Sequence, residues 1–111
     1  MDTIALYRDI IERILSEYTQ TPSAYGEIQT EVIAQHETDH YLLMAVGWQG
    51  AKRIHDCLIH TDIIDGKIWI QADGTEDGFA NRLLEAGIPK DQVVLGFHPR
   101  DVRVLTGFAV E

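Results

Sequence analysis

Five histidines (His36, His40, His55, His60 and His98) and a single cysteine, Cys57, are the side chains of this 111-residue chain best suited to chemistry near neutral pH. Three of them fall in one stretch, Lys52 to Ile64, that reads as a strand. Strict alternation puts Arg53, His55, Cys57, Ile59 and Thr61 on one face of that strand, and Asp56, Leu58, His60 and Asp62 on the other. A Cys57–His55 pair is the kind that supports a nucleophile. His60 with Asp62 and Asp56 is the kind that supports a general base or a divalent metal. Same-face neighbours on a strand lie about 7 Å apart, which is loose for a nucleophile–base contact. A buried cysteine beside a hydrogen-bonded structural histidine, and a solvated polar face, account for the same residues more simply. No catalytic residue is therefore assigned, and His60, Asp62 and Asp56 stand only as metal candidates. His36 and His40 flank a polar turn and are expected to be exposed.

Other motifs add no chemistry. Asp73-Gly74-Thr75-Glu76-Asp77-Gly78 lacks the twelve-residue ligand spacing of a calcium loop and reads as a turn with a helix cap. No Gly-x-Gly-x-x-Gly or Walker pattern is present, so no nucleotide or other cofactor is expected. One cysteine permits no internal disulfide and no cysteine-based zinc cluster. Eighteen acidic against nine basic residues give a net charge of −9, the wrong sign for a free-standing nucleic-acid binder. Only residues 82–103 lean the other way, where Arg82, Lys90, Arg100 and Arg103 oppose Glu85, Asp91 and Asp101. Lys90, Arg100 and Arg103 are thus the candidates for any nucleic-acid contact. Trp48, His55 and Tyr25 are candidate anchors for a protein partner, since large aromatics at exposed positions dominate interfaces.

The positioning elements follow from periodicity. Leu6, Ile10, Ile11, Ile14, Leu15 and Tyr18 recur at three- and four-residue steps, predicting an N-terminal helix over 3–18 capped by Asp2 or Thr3. From Ile28 the period becomes two. Strands are expected over Ile28 to Gln35, His40 to Trp48, Lys52 to Ile64 and Lys67 to Gln71, with Asp65-Gly66 the strongest hairpin turn. The second strand is apolar on both faces and should be central and covered on both sides. Thr75 can cap a second helix running to Ala86, ended by Gly87 and Pro89. Val93 to Phe97 suits a short strand, and Pro99 opens a brief helix. The expectation is one α+β domain over 1–111: an antiparallel meander of four or more strands with both helices on one face. No apolar run approaches the ~20 residues that span a bilayer, and the N-terminus lacks signal-peptide character, so the chain reads as cytosolic and without a membrane partner.

Several segments carry a resemblance to a known family. Pro22-x-x-Tyr25-Gly26, Tyr41-Leu42-Leu43 through Gly47-Trp48, Arg53-Ile54-His55 and Asp65-Gly66-Lys67-Ile68-Trp69-Ile70-Gln71 resemble the XisI-like family. So do Asp73-Gly74-Thr75-Glu76, Gly96-Phe97-His98-Pro99 through Val102-Arg103, and Thr106-Gly107-Phe108-Ala109-Val110. The resemblance implies cyanobacterial origin and a controlling-factor role in excision of the fdxN element, a DNA rearrangement of heterocyst differentiation. It also implies a companion, an XisH-like protein, and an XisF-like recombinase that performs the strand chemistry. It implies no catalytic residues at these positions. The expected function is therefore a non-enzymatic accessory factor acting by protein–protein binding, touching DNA only indirectly. A homodimer through a sheet edge or open face is a further expectation. The rival readings are a metal-dependent nuclease-type enzyme or subunit and a direct DNA-binding regulator.

Overall fold

The computed structural model describes residues 2–20 and 27–111. The apolar stripe near the N-terminus forms helix α1, Thr3–Tyr18, and the Asp2 carboxylate caps it by accepting from the Ile4 N–H at 3.1 Å. The period-two segments form β1 (Glu27–Gln35), β2 (His40–Gln49), β3 (Lys52–Ile64) and β4 (Lys67–Asp73), all antiparallel to their neighbours. A short β5, Val93–Leu95, completes a sheet of order β1-β2-β3-β4-β5. It pairs parallel to β4, because the chain crosses over through helix α2, Phe79–Glu85, before returning. A one-turn helix α3, Arg100–Arg103, follows, with Pro99 as its N-cap.

Helix α2 starts later than Thr75. Gly78 adopts φ 83°, which interrupts the helical path, and Asp73 supplies the capping acceptor from six residues upstream. Its carboxylate accepts from the Phe79 N–H at 2.7 Å and from the Thr75 N–H at 2.9 Å. The helix ends as expected at Gly87, φ 98°. Its N–H reaches the Leu84 carbonyl while the Ile88 N–H reaches that of Leu83, a Schellman termination sealed by buried Leu83 and Ile88.

The core lies between the two longer helices and one face of the sheet. Ile11, Leu15, Tyr41, Leu43, Ile59, Ile68, Ile70, Phe79, Leu83 and Val93 are fully buried there. Two polar ties fix the helices. Arg8 of α1 donates to both carboxylate oxygens of Asp39 in the β1–β2 turn, at 2.7 and 3.1 Å, and the Tyr41 hydroxyl donates to the same group at 2.8 Å. Arg82 of α2 pairs with Glu17 of α1 at 2.9 Å and stacks over the Tyr18 ring. No helix among the described residues is long and apolar enough to cross a membrane.

Candidate functional site

One extra residue decides which side chains of β3 meet. On β2, Tyr41, Leu43 and Ala45 face the helices, so His40, Leu42, Met44, Val46 and Trp48 face away. The register runs Leu43 opposite Ile59 and then Met44 opposite Cys57, leaving Leu58 as a bulge. Directly paired residues share a face. Arg53, His55 and Cys57, opposite Trp48, Val46 and Met44, therefore lie on the outer face with His60 and Asp62. Strict alternation puts them on the opposite side, and the bulge corrects it. Asp56, opposite buried Ala45, is turned away from His60 and Asp62 and is no part of their cluster.

His40 takes its place. It sits directly across from Asp62, and its Nδ1 lies 2.7 Å from Asp62 Oδ1. His60 Nε2 lies 2.9 Å from the same oxygen. The other oxygen, Oδ2, accepts from the Gln71 side-chain amide at 3.2 Å. Gln71 is free to reach in because β4 is also irregular there: Ala72 pairs with His60 and Ile70 with Thr61, leaving Gln71 unpaired. Asp62 is 5% exposed, so a carboxylate is held nearly dry with two imidazoles and an amide as its partners. Sequence periodicity missed His40 and Gln71, since both depend on cross-strand register.

Cys57 is exposed, not buried, because the bulge turns it outward. Its thiol donates to the Ile59 carbonyl at 3.4 Å, and partial desolvation raises its pKa, which keeps it a protonated thiol and a poor nucleophile. His55 is exposed on the same face. Tyr25 lies outside the described residues. Each of the three basic candidates has an internal contact. Arg100 grips the Glu111 carboxylate at 2.8 and 3.1 Å, Arg103 stacks over the Trp69 ring, and Lys90 sits over the ring of Phe108.

Among the described residues, the outer face is covered at one end only. Val94, paired with Trp69, is fully buried under the C-terminal segment, where Val94 bridges to Ala109 and Arg103 lies over Trp69. Toward β1 the face meets solvent. Leu42, Met44 and Val46 are half-buried, Ile33 is 45% exposed and Trp48 48% exposed with the Arg53 guanidinium over its ring. The expectation of a β2 covered on both sides thus fails at these residues, which form a contiguous apolar strip flanked by Glu31.

The model of the XisI protein family matches residues 1–110. No curated protein matches the chain. Solved structures do. A XisI-like protein from Anabaena variabilis ATCC 29413 is 34% identical, with a TM-score of 0.88 over 99% of this chain and 100% of its own. The fdxN element excision controlling factor XisI from the same organism is 34% identical, with a TM-score of 0.83 and the same coverage of both chains. These matches support an accessory role. The chain belongs to the XisI family.

Proposed function

We propose that this protein is a non-catalytic accessory factor that binds an XisH-like protein through the uncovered part of its sheet, in the control of recombinase-mediated excision of a DNA element. The observation that carries the reading is the strip of Ile33, Leu42, Met44, Val46 and Trp48, an apolar surface running from edge strand β1 onto β2 with no helix over it among the described residues. Such a surface costs solubility unless something buries it, and Trp and Arg are among the residue types enriched at binding hot spots. A chain of net charge −9 suits a basic partner and repels DNA. The relative that is a controlling factor of fdxN element excision supports the biological setting. Strand exchange belongs to the recombinase, and a role in DNA excision implies a cytoplasmic protein.

A tagged pull-down from the native cell at low and high salt, with complex mass read by light scattering, tests this. Recovery of an XisH-like protein at a fixed ratio supports the accessory-subunit reading. A clean homo-oligomer with no companion at either salt concentration contradicts it.

A further inference from the structure

We infer that His40, His60 and Asp62 form a binding site for one divalent ion of the zinc class. Three donor atoms, His40 Nδ1, His60 Nε2 and the Asp62 carboxylate oxygen, lie within 4.8 Å of one another. Both imidazole nitrogens point at the same oxygen, at 2.7 and 2.9 Å. Around tetrahedral zinc, with bonds of about 2.0–2.2 Å, ligand atoms stand about 3.3 Å apart. Seating an ion therefore lengthens the two N···O separations by about half an ångström and brings the two imidazole nitrogens, within 4.8 Å of each other, closer by up to about 1.5 Å.

The surroundings fit a metal site better than a loose polar patch. Asp62 is almost fully buried, and neither Arg nor Lys pairs with it among the described residues. A carboxylate so placed gains from a cation at Oδ1. Gln71 holds Oδ2, the outer contact that orients a ligating carboxylate. His40 and His60 are partly exposed, with side chains 50% and 35% accessible, so an ion can enter from solvent and water can fill its remaining position. Two imidazoles with one carboxylate favour zinc, cobalt or nickel over magnesium or calcium, which prefer all-oxygen sets. The site borders the apolar strip, where His60 pairs with Leu42, but does not depend on the partner reading.

Zn²⁺ is titrated calorimetrically into the chelator-treated full chain at neutral pH, with Mg²⁺ titrated separately and Co²⁺ followed by visible absorption. One Zn²⁺ per chain is expected, with Co²⁺ giving tetrahedral d–d bands and Mg²⁺ giving no heat. His40→Ala, His60→Ala and Asp62→Asn should each weaken Zn²⁺ binding by at least about 10-fold, and Gln71→Ala by about 10–100-fold. His36→Ala and His55→Ala should leave it unchanged. Circular dichroism confirms that each variant is folded, and Asp62→Asn, nearly isosteric, keeps the test open should an alanine variant unfold. Absence of Zn²⁺ binding by the native sequence, equal binding of Mg²⁺, or unchanged affinity in His40→Ala and His60→Ala would overturn the assignment.

Discussion

Asp62 lies directly across the sheet from His40 because Leu58 is carried as an extra residue between them. Were Leu58 paired in the ladder instead, the two-residue Gly50-Ala51 turn would put Thr61 opposite His40 and turn one half of β3 against the other. The bulge lets Ile59, Thr61 and Ile63 point to the core while Arg53, His55 and Cys57 point to solvent. Deleting Leu58 leaves Cys57 opposite Met44, Ile59 opposite Leu43 and Asp62 opposite His40, so it should cost only about 1–2 kcal/mol, the loss of one half-buried apolar side chain. Urea denaturation measures the loss, and a cost above about 4 kcal/mol would contradict a register preserved without the bulge.

Gly47 provides a second test of the sheet. A Cβ built there falls on the Glu27 carbonyl oxygen of β1, so a side chain can enter only if β1 moves. Gly47→Ala should destabilise the protein by about 1–3 kcal/mol through overpacking. Hydrogen exchange should locate the loosening in β1, with β3 and β4 unaffected.

Asp39 links α1 to the first hairpin, and Arg8 holds its carboxyl below the usual carboxylate range. A depressed folded value means this contribution is present above the unfolded pKa of about 3.9 and is lost as pH falls through the folded one. Asp39→Asn should lower the melting temperature at neutral pH, and its deficit should shrink as the solution is acidified. Tyr41→Phe, which removes one hydrogen bond to the same carboxylate, should cost about 1 kcal/mol. A deficit for Asp39→Asn that is constant from neutral to acid pH would show that the ion pair is inert.

Direct DNA binding makes a separate prediction. Arg100 and Arg103 are engaged by Glu111 and Trp69, so they offer little to phosphate. A duplex should show no mobility shift at low salt, and Arg100→Ala should change nothing. A shift that weakens steeply with salt and flattens in the Arg100→Ala and Arg103→Ala variants would establish a phosphate contact.

Much of this fold is legible in the sequence for physical reasons. The 3.6 period of α1 and the Gly87 terminator of α2 are local signals, and α1 and the end of α2 lie where those signals put them. The Asp65-Gly66 turn likewise joins β3 to β4, with Asp65 at φ 50° and Gly66 at φ 81°. The site is less legible. His60 and Asp62 are neighbours two apart on one strand and can be read directly. His40 and Gln71 join them only through bulges at Leu58 and Gln71, and a bulge is a choice between registers that no local pattern announces. The parallel pairing of β5 is hidden for a similar reason, since it depends on how α2 packs and not on Val93–Leu95 themselves.

The central claim is that the uncovered strip around Trp48 is a protein-binding surface. Its most direct test is the affinity of the purified chain for a purified XisH-like protein, compared with Trp48→Ala and Ile33→Glu. Both residues are about half exposed, so both variants should stay within about 0.5 kcal/mol of native stability. The account predicts that Trp48→Ala loses about 2 kcal/mol or more of binding energy and that Ile33→Glu weakens binding comparably. Native affinity in both folded variants would contradict it.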